Sequence, residues 1–409
     1  MISHLTSIGA ILASTVFFLM GNGLMGTLAP VRAHLDGFSS LALGLMGTGF
    51  FAGFAAGCFA GPLLMARSGH IRTFSVAASL TAVSVLALPI LVTPFAWFAL
   101  RAVAGLGIAI LFTVIESWLN DRAGNNNRGN ILSLYVVVNL VSLIMGQWLF
   151  LLGSPLSFEL FTIGAMAYCL CLMPVAVTQL PQPAAPPVPR LNLRVLFARA
   201  PVGAAGCMTV GIANGAFWTL APVYAQGLGF GSGDLALFMT VFIAGGALVQ
   251  WPVGQISDGV DRRWVIAALC TLAAGCGLAL GFTGWYLLRV PLVFFALVFT
   301  LGAAMLPLYS LSIAHANDRL PRAEFVQTSA GLLMITALLS IPGPLLAATV
   351  MSLAGPYALF LFTAIAHAAM AFFAFTRIRM REAPPPESRD EFAAMVPGSP
   401  AAAALDPRA

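Results

Sequence analysis

The sequence predicts an all-α integral membrane fold, with twelve transmembrane helices arranged as two pseudo-symmetric six-helix bundles. Three observations predict it. Of the 409 residues, 60% are hydrophobic and only 8% charged, against roughly 25% charged in an ordinary soluble domain. Apolar runs of about 20 residues recur from one end to the other, each long enough to cross a hydrocarbon core of about 30 Å as a helix. The second half of the chain also weakly repeats the first.

The expected spans are 7–31, 40–66, 73–93, 95–118, 129–151, 159–179, 202–225, 235–256, 264–284, 290–313, 324–350 and 355–377. Span 1 is too long for a signal-peptide core and is read as a retained first helix. Short turns bearing Gly, Pro or charge separate the spans. Spans 1 to 6 make a first bundle over 1–179. Residues 180–200 differ: PQPAAPPVPR is a Pro-rich linker, and LNLRVLFARA is a short basic amphipathic stretch expected on the membrane surface. Spans 7 to 12 make a second bundle over 201–377. The tail, 378–409, is polar, Pro-rich and Ala-rich, and is expected to be disordered.

All 19 basic residues are Arg, and their placement sets the orientation. With the N-terminus in the cytoplasm, sixteen are cytoplasmic: Arg67, Arg72, Arg122, Arg128, Arg190, Arg194, Arg199, Arg262, Arg263, Arg319, Arg322, Arg377, Arg379, Arg381, Arg389 and Arg408. Arg32 and Arg289 lie at the outer edge, and Arg101 lies within span 4. The positive-inside rule favours this topology, with both termini cytoplasmic, in a bacterial inner membrane. The net charge of +5 is thus a topology signal, not a nucleic-acid patch. Trp97, Trp148 and Trp285 are expected at the outer interface, and Trp118 and Trp264 at the inner one. Trp218 and Trp251 fit that belt less well. The six cysteines all fall in apolar segments, where a small buried side chain is the default.

The repeat is an ordered set of matches. Asn22-Gly23 and Ala29-Pro30 in span 1 recur as Asn214-Gly215 and Ala221-Pro222 in span 7, an offset of 192. Met46, Gly53 and Gly61 match Met239, Gly246 and Gly254 at 193. The NDR at Asn120 to Arg122 recurs at Asn317 to Arg319, offset 197, and Gly146 and Gly343 share that offset. Slowly rising offsets are the mark of duplication with small insertions, and parallel six-helix repeats place a binding site near the midplane.

The loop after span 8, GQISDGVDRR from Gly254 to Arg263, resembles the signature of the major facilitator superfamily. The first-half copy is degenerate, with Met65 at the acidic position. Span 4 carries Arg101, Gly105 and Gly107, similar to that superfamily's buried-Arg pattern. Span 5 departs from the Gly-Pro motif of drug antiporters, since Gln147 follows Gly146. GNGLMGTLAP (21–30), ESWLN (116–120), NRG (127–129), QWPVGQISD (250–258) and HANDRL (315–320) are similar to the YcaD-like branch. This resemblance covers both halves. It implies the major facilitator fold and a transport role, and says little about substrate.

Ionisable groups within spans are costly, so each needs a reason. Arg101, about two turns into span 4, is a candidate cavity cation; its alternative is a snorkelling or structural Arg. Glu116 is 15 residues on, about 22 Å along the axis, too far to pair with Arg101. It is expected at a cytoplasmic gate with Arg122, Arg128, Arg67 or Arg72, the alternative being a proton-carrying carboxylate. Asp258 and Asp261 with Arg262 and Arg263 read as a gate cluster or a solvated loop cluster. His315 is expected to make a gate hydrogen bond, and His367 to be structural. On span 5, Tyr135, Asn139, Ser142 and Gly146 share one face, as substrate path or interhelical glue. Asn22 and Asn214 occupy matched cavity positions, with interhelical glue as the alternative; Trp218 shares the face of Asn214, and Trp251 and Tyr309 are weaker cavity candidates, packing residues by default. No nucleotide-binding motif, metal-ligand spacing or catalytic constellation stands out, so neither enzymatic activity nor a cofactor is expected.

The expected function is secondary transport of a small organic solute by alternating access, with proton coupling open. A neutral or weakly anionic planar solute, such as a flavin, suits a midplane with Asn, Tyr, Trp and one Arg. A monomer in the lipid bilayer is expected. The alternatives are an efflux antiporter for amphipathic compounds and a non-transporting sensor or scaffold.

Overall fold

The protein, seen in a computed structural model, is described over residues 2–123, 128–177, 183–189, 193–287, 289–321, 324–380, 382 and 391–405, apart from the side chains of 2–7, 193, 195, 284, 285 and 287. Arg190, Arg322, Arg381, Arg389, Arg408, Asn127 of the NRG segment and the ring of Trp285 therefore lie outside the described residues.

Among the described residues, twelve stretches are long and apolar enough to cross a membrane. In the first half these are α1 (Ile2–Leu35), α2 (Ser40–Ser68), α3 (His70–Ala87), α4 (Pro94–Arg122), α5 (Arg128–Leu149), and the pair α6 (Glu159–Leu170) and α7 (Leu172–Val177). A short helix α8 (Leu193–Arg199) follows the linker. In the second half they are α9 (Pro201–Gly227), α10 (Ser232–Gly259) and α11 (Arg262–Leu287). The pairs α12 (Pro291–Met305) with α13 (Leu308–Asn317), and α14 (Phe325–Ser340) with α15 (Pro342–Ala354), and finally α16 (Ala358–Met380), complete it.

Helix is the local answer because the bilayer core offers the backbone no water, so each segment must satisfy its own N–H and C=O groups. The boundaries follow from residue chemistry. Ser39 and Thr93 cap α2 and α4, each side chain accepting from the amide three residues on. Pro94, Pro201, Pro291 and Pro342 open their helices, where a missing N–H costs nothing. Gly69 at φ +78° and Gly355 at φ +88° turn the chain between spans in a conformation other residues avoid. Span 3 ends at Ala87, not near 93, because residues 88–93 form a hydrogen-bonded turn into Thr93.

The duplication reappears as matched close contacts between helices. Gly105 of α4 sits against the Phe50 carbonyl of α2, and Gly302 of α12 against the Phe242 carbonyl of α10. Gly146 of α5 meets the Met20 carbonyl of α1, and Gly343 of α15 meets the Ile212 carbonyl of α9. The partners are 192 residues apart and the glycines 197 apart in both cases, the offsets of the sequence repeat. Small residues at such sites let backbones approach closely.

The halves meet directly through α2, α9 and α15. Gly44 packs on Pro344 and Ala348, Gly47 on Thr219 and Pro344, and Thr48 donates from Oγ1 to the Ile341 carbonyl at 2.8 Å. At the opposite end, where the linker lies, the strip 391–405 runs between them. Its last part, Pro400–Leu405, is a buried 3-10 turn packed against α4, α5 and α14. The expectation of a disordered tail is therefore corrected over these residues. An Ala- and Pro-rich strip has no amphipathic period to announce its burial, yet it is small enough to fill a gap whose walls come from elsewhere.

The aromatic belt is also corrected in part. Trp148 and Trp264 are exposed as expected, at 44% and 53%. Trp97 is fully buried and donates to the Leu88 carbonyl at 2.9 Å. Trp118 is fully buried against His70 and Phe74. Trp251 is 69% exposed and lies outside the lining of the cavity between the halves. Five cysteines are buried, and Cys169 is exposed on α6.

Candidate functional site

A cavity of ≈ 250 Å³ lies between the two halves. From α1 it receives Leu19, Asn22, Gly23 and Gly26, from α2 Phe50, Phe51 and Phe54, and from α4 Arg101, Ile108 and Phe112. Asn139, Leu140, Leu143 and Gln147 come from α5. The second half contributes Asn214, Trp218 and Thr219 of α9, Ile243 and Gln250 of α10, Tyr309 of α13, and Thr336 and Ser340 of α14. Met395 to Gly398 of the tail close its linker end. No carboxylate stands among these lining residues.

Six of the seven expected cavity residues are therefore brought together: Asn22, Arg101, Asn139, Asn214, Trp218 and Tyr309. The guanidinium carbon of Arg101 lies 4.4 Å from the Phe50 ring centroid, a cation–π contact that offsets part of its desolvation. Asn139 donates from Nδ2 to the Tyr135 carbonyl at 2.7 Å. The Asn214 amide oxygen is buried and has no hydrogen-bond partner among the described residues. Trp218 is held edge-on against Phe242, centroids 5.7 Å apart.

Tyr135 is the exception. It is fully buried outside the cavity lining, and its hydroxyl donates to Glu116 Oε1 at 2.9 Å. Glu116 also departs from expectation. It is 0% exposed and accepts from the hydroxyls of Tyr135 and of Ser399 in the tail, the latter at 2.5 Å, and from the Ser399 and Ala402 backbone amides. The basic residues named as its partners sit nearer the helix ends.

The acidic and basic groups after α10 form a tight cluster. Arg262 is buried and reaches Asp318 at 2.8 Å, Asp258 at 3.0 Å and the Ser257 hydroxyl at 2.8 Å. Arg263 pairs with Asp261 at 2.6 Å and donates to the Arg377 carbonyl at 2.9 Å. Burial works to raise the Asp261 carboxyl, but the hydrogen bonds and charge of Arg263 outweigh it and hold the group below the usual carboxylate range. These pairs tie α10, α11, α13 and α16 together. Each of these partners lies in the second half. His315 is buried in α13 at the same level, and Arg128 opens α5.

Sequence reasoning missed Gln147 and Gln250. Gln147 lines the cavity, accepts from the Thr27 hydroxyl at 2.5 Å and donates to the Gly23 carbonyl at 3.0 Å. It stands where the drug-antiporter motif has Pro, so the departure itself was the signal. Gln250 donates to Ser310 Oγ at 3.1 Å, and as a polar amide inside span 8 it carried the same signal as the asparagines.

The model of the Major Facilitator Superfamily matches residues 10–290 and 232–405. The YcaD transporters of major facilitator type from Escherichia fergusonii and Salmonella arizonae, themselves uncharacterised, are each 25% identical over 346 residues, covering 83% of this chain and 88% of theirs. Among solved structures, the nucleoside transporter NupG superposes with a TM-score of 0.73 at 14% identity, covering 93% of this chain and all of that one. A bacterial homologue of the human lysosomal transporter Spinster, inward-facing and unoccupied, gives 0.73 at 14% over 94% and 99%. A D-xylose-proton symporter gives 0.69 at 14% over 95% and 99%.

Proposed function

The chain belongs to the major facilitator superfamily, and from that premise we propose that it carries a small, neutral or weakly anionic planar solute across the bacterial inner membrane by rocking of its two halves. The chemistry of the cavity lining supports this most directly. It combines one guanidinium, carboxamides from Asn22, Asn139, Gln147, Asn214 and Gln250, and the Trp218 indole, with no carboxylate. Carboxamides pair with neutral amides and hydroxyls, Arg101 can fork onto a carbonyl or carboxylate, and an indole favours a flat ring. An organic cation would meet Arg101 without a counter-charge. The volume of ≈ 250 Å³ lies just below the roughly 300–1,000 Å³ of drug-sized sites, which favours a solute of nucleobase or nucleoside size over a full flavin. The nucleoside transporter among the structural neighbours is in keeping with that size.

Coupling to protons is the second element, and Glu116 favours it. A carboxylate with no exposure, held by hydroxyls and backbone amides, can gain or lose a proton without breaking an ion pair. With both termini cytoplasmic, Glu116 sits below the cavity on the cytoplasmic side. The test is uptake and efflux of nucleobases, nucleosides, flavins and aromatic carboxylates in proteoliposomes, with and without an imposed proton gradient. Saturable movement of a neutral planar solute, accelerated by the gradient in wild type but not in Glu116→Gln, is the expected result. Preferential carriage of organic cations would overturn the solute class.

A further inference from the structure

We propose that the mouth between the two halves at the linker end is a binding site for the chain's own C-terminal strip, residues 391–405, and that this strip is a plug which must leave before a solute can pass. Three anchors hold it. The Phe392 amide donates to Asp258 Oδ2 at 3.1 Å, and its ring fills the space left by Gly254, where a Cβ would collide with it. At Met395 both backbone groups are engaged by one hydroxyl: Ser310 Oγ donates to the carbonyl at 2.9 Å and accepts from the amide at 3.0 Å. That hydroxyl is also the acceptor for Gln250. At the third anchor the Ser399 hydroxyl donates to Glu116 Oε2 at 2.5 Å.

Gly398 shows how closely the strip is seated. A Cβ there would run into Glu116 Oε1 and the Phe112 ring. Beyond it Ala401, Ala402, Ala403 and Leu405 are buried. The anchors come from both bundles, Glu116 from the first and Asp258 and Ser310 from the second. A strip bonded to both walls of a cleft opposes any motion that moves those walls, whether the cleft closes or widens. It also blocks the cavity physically, since Met395 to Gly398 form its floor. Finally, its amide and hydroxyl groups occupy Glu116 and Ser310, which a hydrogen-bonding solute entering from that end would otherwise meet first. Tethering to α16, which ends at Met380, keeps the strip near its site at an effective concentration of order millimolar, so weak anchors suffice.

The plugging role rests on the proposed transport function; the seating of the strip does not, and the two are separable by experiment. A single cysteine is placed at Leu140, on the cavity wall, in a chain whose six native cysteines are replaced. Its rate of reaction with a water-soluble methanethiosulfonate is measured on purified protein for three chains: full length, ending before Glu391, and full length with Gly398→Val. The truncated chain and the Gly398→Val chain should both label roughly tenfold faster or more, since labelling follows the population of the unplugged state. A synthetic peptide of residues 391–405 should restore slow labelling to the truncated chain. Equal rates in full-length and folded truncated protein overturn the seating, as does a folded Gly398→Val chain that labels as slowly as its parent. Faster labelling with an unchanged initial rate, for a solute the protein carries, overturns the plugging role. Faster labelling together with no carriage of any solute by any chain leaves the seating supported and brings down the transport reading instead.

Discussion

Replacement of Arg101 tests the cavity chemistry most sharply. Its guanidinium is 4.4 Å from the Phe50 centroid and lines a cavity without any carboxylate. Hydrogen bonds from a charged donor to a solute contribute about 1.5–3 kcal/mol. Arg101→Ala removes all of that, so binding should weaken by roughly 10- to 150-fold, at about 1.4 kcal/mol per tenfold. Loss of the stacked cation leaves the Phe50 ring facing water at a cost of about 0.5–2 kcal/mol, felt by the folded protein as much as by the complex. Arg101→Lys keeps the charge over Phe50 but gives up the planar fork. Its loss should be about 1–2 kcal/mol, or roughly 5- to 30-fold in solute affinity. The assay is quenching of Trp218 fluorescence by a carried solute, alongside initial uptake rates at matched expression. Trp218 shares the cavity with Arg101, so the same titration reads occupancy directly. A well-folded Lys variant with wild-type affinity and rate would refute the solute contact and leave Arg101 a structural cation.

Two further outcomes follow from the fold. Gly105→Ala drives a methyl into the Phe50 carbonyl, and Gly302→Ala does the same at Phe242. Each should cost about 1–3 kcal/mol and lower the unfolding temperature in detergent, while Gly26→Ala, with open space around it, should not. Equal melting of all three variants would argue against close packing of α2 on α4 and α10 on α12. For orientation, a cysteine at the exposed Ala184 of the linker should resist an impermeant thiol reagent added outside intact cells and react once they are permeabilised; labelling of intact cells would invert the topology.

Much of the architecture is legible along the chain, and particular residues show where legibility stops. The twelve spans can be read because each must run about 20 residues to cross the hydrocarbon. Pro94, Pro201, Pro291, Gly69 and Gly355 punctuate them by rules that need no tertiary partner. Asn22, Asn139 and Asn214 are legible as cavity residues because a polar amide inside a span needs a reason to be there, and the repeat pairs two of them. Trp97, Trp118 and Tyr135 are not legible in this way. On helices apolar all round, composition does not say which face turns to lipid, so two expected belt tryptophans and one expected cavity tyrosine turn inward instead. Gln147 shows a middle case, visible as a broken motif but without its purpose.

The number of spans, most of their boundaries, the duplicated halves and the polar positions at mid-span are thus determined by the sequence alone, because the bilayer sets length and self-satisfaction locally, segment by segment. What Glu116 touches, how Arg262 is shared among Ser257, Asp258 and Asp318, and where residues 391–405 lie are decided only by the tertiary structure. In each case the deciding partner belongs to another helix. Ser399 meets a carboxylate 283 positions away, and no local pattern of Ala and Pro encodes the gap that α4, α5 and α14 leave for it.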